Sequence, residues 1–203
     1  MTENMDVYLA GKAAKGDVDA FETLIMKYEK TIYNIALRMM TSPEDARDVS
    51  QNVLIKIYNN ISRFKGDSLF STWIYRITVN TCIDEIRKNK RKTEISMDDE
   101  DTGLSRVIQD TASSPEKSVI EKEGYNSIIN AINELPEEYK SVITLRDIEG
   151  FSYQEIAEIT ECSLGTVKSR ISRARGKLKE LLLEKGELIE SSGRLTIKKG
   201  GKS

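Results

Sequence analysis

The sequence predicts an all-α protein: two small helical domains joined by an acidic flexible linker. Three observations carry that expectation. Apolar residues recur at steps of three and four on both sides of the middle of the chain, the period of helices with one buried face. The apolar–polar alternation of half-buried strands is almost absent. Residues 93–123 hold 3 basic and 9 acidic groups, whereas residues 1–92 hold 15 and 12 and residues 124–185 hold 9 and 10. The overall charge of −2 is therefore a sum over unlike parts. At 203 residues the chain suits one large or two small domains of roughly 100–200 residues each. The expected boundaries are 1–92, a linker over 93–121, a second domain over 122–185 and a flexible basic tail over 186–203.

Composition also excludes chemistries. The chain has no histidine, so no imidazole serves as base, proton shuttle or metal ligand. Its two cysteines, Cys82 and Cys162, lie far apart and form no zinc framework, which suits buried thiols in a reducing compartment. No metal site and no cofactor are expected. No basic stretch followed by an apolar run opens the sequence, so no signal peptide is expected. No apolar run approaches the ~18 residues of a membrane span.

The elements follow in order. Asp17 or Asp19 can cap a helix carrying Phe21, Leu24, Ile25, Tyr28, Ile32, Ile35, Ala36 and Met39 at helical spacing. Ser42-Pro43 supplies the next N-cap and a proline at the first helical position. That helix runs on Ala46, Val49, Val53 and Ile57 and ends before Phe64-Lys65-Gly66-Asp67. A third begins near Ser68 and continues through Trp73, Ile77, Cys82 and Ile86 into a basic end at Arg87–Lys92. The linker holds the acidic run Asp98–Asp101 and a Ser113–Pro115 turn, with few apolar groups to offset the entropy of ordering it. The tail ends in Lys198-Lys199-Gly200-Gly201-Lys202.

Gly150–Leu182 is the most informative stretch. Ser152-Tyr153-Gln154-Glu155 has the form of a capping box, followed by a short helix burying Ile156, Ala157 and Ile159. A break at Glu161-Cys162-Ser163 leaves room for a tight turn. The next helix sets Leu164, Val167, Ile171, Ala174, Leu178 and Leu181 on one buried stripe. Its other face carries Thr166, Lys168, Ser169, Ser172, Arg173 and Lys177, and Leu164–Lys179 holds six basic residues and no acidic one. Two short helices, a tight turn and a basic outward face bearing hydroxyls describe a helix-turn-helix. The cations neutralise phosphates, and short polar side chains let a helix approach base edges.

The first domain offers two polar surfaces. Asp45, Asp48, Gln51 and Asn52 face outward on the helix after Pro43. Such a face can receive cations of a partner protein, although early-turn aspartates also complement the helix dipole with no partner at all. Phe64–Arg76 concentrates Phe64, Phe70, Trp73 and Tyr75 beside Lys65 and Arg76. Aromatics interleaved with cations suit single-stranded nucleic acid, or else form a small core; Phe70 and Ile74 belong to that core, and Trp73 is read as structural.

The run PEDARDVSQNVLIKIYNNISRFKGDSLFSTWIYRITVNTCIDEIRK resembles region 2 of bacterial extracytoplasmic-function sigma factors of the sigma-70 family. LPEEYKSVITLRDIEGFSYQEIAEITECSLGTVKSRISRARGKLKELL resembles region 4 of the same family. The likeness covers most of residues 5–92 and 122–184, in the family's order. It implies a non-enzymatic subunit that binds core RNA polymerase, recognises −35 and −10 promoter elements, assists melting and directs transcription of a stress- or envelope-type regulon.

By that resemblance, Asp45, Asp48 and Gln51 match the face that docks on the clamp of the largest polymerase subunit. The family more often has acidic residues where this chain has Arg47 and Asn52. Phe64, Ser68 and Asn80 match positions that capture the melted −10 strand, with Lys56, Lys65 and Arg76 as backbone contacts. Thr166, Lys168, Ser169, Ser172 and Arg173 match the −35-reading face, and Arg170 and Arg175 the phosphate holders. Lys168 stands where the family often has arginine, whose planar fork a lysine does not reproduce. The resemblance also implies an anti-sigma partner, a cytoplasmic location with tethering where that partner is membrane-bound, and no small-molecule substrate. The rival reading of the residues is a stand-alone helix-turn-helix regulator whose first domain senses a ligand or dimerises.

Overall fold

In the computed structural model, which describes residues 2–97, 128–184, 188–191 and 194–197, the first domain comprises five α-helices. They are α1 (Thr2–Ala13), α2 (Val18–Ile25), α3 (Glu29–Met39), α4 (Pro43–Asn60) and α5 (Phe70–Met97). A 3-10 turn, Ile61–Arg63, leads out of α4. The N-caps are local. Asp17 accepts from the Ala20 amide at 2.9 Å and Ser42 from the Asp45 amide at 3.0 Å, each satisfying a donor the helix leaves unpaired. Leu24, Ile32, Ile35, Met39, Val49, Val53, Ile57 and Ile74 fill the centre.

The second domain has a helical segment over 128–133, here α6, then α7 (Glu137–Ile143), a π-helical turn (Thr144–Ile148), α8 (Tyr153–Thr160) and α9 (Leu164–Glu184). Val142, Leu145, Ile156, Ile159, Val167, Ile171 and Ala174 are buried in it. Those residues are continuous with the core of the first domain rather than separate from it.

Three local expectations change, and one helix is added. The single helix over 17–39 is two, broken at Met26–Tyr28, because Lys27 and Tyr28 both donate to the carboxylate of Asp6 and tie the turn onto α1. The α1 helix itself went unread, since its apolar positions form no stripe. α5 continues through Met97, past the expected boundary at residue 92. The tail read as flexible carries two strands, β1 (Leu188–Ser191) and β2 (Arg194–Ile197), paired antiparallel with Leu188 opposite Ile197. Apolar residues on either side of a Ser-Gly pair are the sequence signal for that pairing. Most of the expected linker, with Asp98–Asp101 and Ser113–Pro115, lies outside the described residues, as does the Lys198–Lys202 end.

Candidate nucleic-acid and protein interfaces

The capping box at the start of α8 is complete. Ser152 Oγ accepts from the Glu155 amide at 3.2 Å, and the Ser152 amide donates to Glu155 Oε2 at 2.7 Å. Hydrogen bonding from the Ser152 hydroxyl, then from its amide, holds the Glu155 carboxyl below its usual range. α8 ends at Glu161, whose φ of 52° is left-handed, and the chain reverses there. Ser163 then accepts from the Thr166 amide at 3.1 Å and starts α9. Val167, Ile171 and Ala174 seat α9 on the domain. Leu164, expected on that stripe, is 37% exposed, because it lies at the open N-terminal end of the helix.

The outward face of α9 separates into two sets. Lys168, Ser169, Ser172 and Arg173 are exposed, and Lys168 and Arg173 form no ion pair among the described residues. Thr166 is half-buried and shares a 2.9 Å hydroxyl–hydroxyl bond with Ser163. Arg170 and Arg175, by contrast, are engaged within the domain. Arg170 pairs with Glu138 at 3.1 Å and donates to Cys162 Sγ at 3.0 Å. Arg175 Nε donates to Asp147 Oδ2 at 3.1 Å, and Asp147 raises the guanidinium pKa.

In the first domain, Gly66, at φ 79°, turns the chain into a cleft of about 1020 Å³. Ser68, Phe70, Ser71 and Arg76 line one side of it; Gln154, Glu155 and Glu158 of α8 line the other. Arg76 Nη1 donates to Glu161 Oε1 at 2.8 Å and Nη2 to the Glu158 carbonyl at 3.0 Å. Asn80 is exposed and lines a second, smaller cleft of about 210 Å³ with Arg87, Glu138 and Arg170. Lys56 donates to Thr81 Oγ1 at 3.2 Å, and Lys65 is exposed. Phe64 packs edge-on to Phe70 with centroids 5.0 Å apart and lies 5.6 Å from Trp73. It is therefore part of an aromatic cluster, as Trp73 is.

The outward face of α4 is also divided. Asp45 is occupied locally, accepting from Ser42 Oγ at 2.8 Å. Asp48 and Gln51 are exposed. Ile55 and Tyr58, 57% and 47% exposed, continue their face at helical spacing. Sequence reading stopped at the polar residues and missed these two, although the i, i+3, i+7, i+10 series from Asp48 points to them.

Comparison with known proteins fits both halves. The sigma-70 region 2 profile matches residues 24–92 and the sigma-70 region 4 profile residues 125–178. The RNA polymerase sigma-H factor of Pseudomonas aeruginosa is 34% identical over 90% of this chain and 96% of its own length. The chain belongs to the extracytoplasmic-function sigma factors. The ECF RNA polymerase sigma factor SigW of Bacillus subtilis is 38% identical over 83% of this chain and 91% of its own. Among solved structures, the sigma factor RpoE of Bartonella quintana, in complex with the anti-sigma factor NepR, aligns with a TM-score of 0.63 at 26% identity. That alignment covers 80% of this chain and 96% of the other. The family consists of transcription-initiation factors.

Sequence reasoning missed the seam between the two domains of this sigma factor. Tyr75 meets Phe151 edge-on at 5.2 Å, and burial pushes its phenol pKa up. Glu137 accepts from Arg87 at 3.1 Å and Lys90 at 3.3 Å. The amide at the start of α7, then Arg87, hold the Glu137 carboxyl down at about 2. Lys140 is 3% exposed; its Nζ donates to the Met39 carbonyl at 3.1 Å and to Asn133 Oδ1 at 2.9 Å. Burial, aided by Lys90, lowers its pKa to about 8. Beneath it, burial pushes the Cys82 thiol up to about 12, so this thiol is inert. Among the described residues no helix is long and apolar enough to cross a membrane.

Proposed function

We propose that this sigma factor is a dissociable promoter-specificity subunit. In this reading α4 docks on the polymerase clamp through Asp48 and Gln51, supported by Asp45. α9 reads duplex −35 DNA with Thr166, Lys168, Ser169, Ser172 and Arg173. The cleft at Ser68 and Arg76, together with Asn80 in the smaller cleft and with Lys56, Phe64 and Lys65, receives the melted −10 strand. The observation that carries it is that Lys168 and Arg173 are exposed, form no ion pair among the described residues, and flank the exposed Ser169 and Ser172, a surface matched to phosphate and base edges. No bond is made by this chain; binding energy spent on extruded bases favours strand opening. Polymerase holds the two sites together and supplies the avidity that neither domain has alone.

The pairing of the Bartonella sigma factor with NepR supports an anti-sigma protein as a regulatory partner, and a membrane-bound one would tether the chain there. The regulon belongs to the stress or envelope class. Run-off transcription with core polymerase tests the central reading: a promoter-specific product is expected, and none on any cognate-gene template would reject it. Asp48→Arg should weaken core-polymerase capture about tenfold with the circular dichroism spectrum unchanged. A stand-alone regulator would instead bind its operator tightly without polymerase.

A further inference from the structure

The strand-binding cleft of the first domain is lined on its far side by the acidic helix of the second. We propose that the chain without DNA or polymerase holds itself shut, with α8 in place of the −10 strand, while the −35 face of α9 stays open. This rests on the reading that Ser68 and Arg76 receive that strand.

The chemistry of the occupant fits. Arg76 directs both arms of its guanidinium to α8, one to the Glu161 carboxylate at 2.8 Å and one to the Glu158 carbonyl at 3.0 Å. A carboxylate and a carbonyl oxygen offer a guanidinium what a phosphate diester offers it. Glu155 and Glu158 stand on the same wall, so the cleft presents acid where an anionic strand has to enter. Three contacts outside the cleft hold the second domain, and α8 with it, in place: Tyr75 on Phe151, Lys140 on the Met39 carbonyl, and Glu137 between Arg87 and Lys90. Asn80 is involved too, since its cleft is closed by Glu138 and Arg170 of the second domain. Lys168 and Arg173 lie away from the seam and remain exposed.

Closure therefore masks one promoter site and leaves the other available, which sets an order. Duplex DNA can engage α9 first, and single strands gain their site only after the domains part. A strand that binds only the open form has its apparent affinity reduced by the open fraction.

Full-length chain carrying Glu161→Gly and Glu137→Gln tests this. Glycine suits the left-handed backbone at 161, so the first substitution removes the Arg76 partner without straining the turn. Glu180→Gln, on the exposed side of α9, controls for lost negative charge. Small-angle X-ray scattering should give a larger radius of gyration for the double variant than for wild type or control. A fluorescent 20-mer of thymidine should bind the double variant about threefold to tenfold more tightly than the control. A duplex of equal length should bind both alike. An unchanged radius, with native helix content by circular dichroism, would overturn closure. A larger radius with unchanged oligonucleotide binding would uphold closure and overturn the masking, which separates this inference from the assignment of the strand site.

Discussion

Lys168 and Arg170 lie two residues apart on α9 and do different work. Lys168 stands in solvent without an ion pair among the described residues, whereas Arg170 is drawn inward to Glu138 and Cys162. The excess of positive charge on this helix was legible in the sequence. Which of its cations are spoken for was not, because Glu138 and Asp147 arrive from α7 and the π-helical turn, beyond any spacing rule along α9. The distinction predicts a split. Lys168→Ala or Arg173→Ala should each weaken duplex promoter binding and lower the salt slope by about one, read by fluorescence anisotropy across a salt series. Arg175→Ala should leave that slope nearly unchanged and lower stability by up to about 1 kcal/mol, since its pair with Asp147 is half exposed, as measured by urea denaturation. A slope change equal to that of Lys168→Ala would restore Arg175 as a phosphate contact.

Helix boundaries that rest on a cap within a few residues were readable, and those set by distant partners were not. Ser152 and Glu155 announce α8 in four letters, and Ser42-Pro43 announces α4. Nothing near Met26 announces the break between α2 and α3, because its cause is Asp6, a buried carboxylate on another helix. The turn at Glu161 was placed correctly as a break, although a non-glycine residue at φ 52° is not what a turn rule selects. Ser152→Ala should remove half of the capping box and lower the stability of the second domain by about 1 kcal/mol, seen as a reduced thermal midpoint by circular dichroism. Ile171→Ala, at a fully packed position of α9, should lower stability by about 2–5 kcal/mol in urea denaturation.

At the scale of the molecule, two domains were legible and their embrace was not. Periodicity reports which face of a helix is buried, and it does not say whether the same or another domain buries it. Glu137 makes the embrace sensitive to acid. Its carboxyl is held at about 2 against an ordinary value of 4.5, so the folded chain favours the ionised form. The stabilisation is complete above pH 4.5 and is lost as pH falls toward 2. Wild type should therefore lose stability to urea more steeply than Glu137→Gln between those limits. Equal slopes would show that Glu137 contributes nothing through its charge.

Lys140 gives the seam a further property. It is the one lysine buried among the described residues, and it sits where an apolar side chain could have glued two halves permanently. An ammonium regains its hydration when the halves separate, so parting them does not bare an unrelieved oily patch. On the opening proposed above, the parted chain would carry its own wetting agent against clumping with its copies.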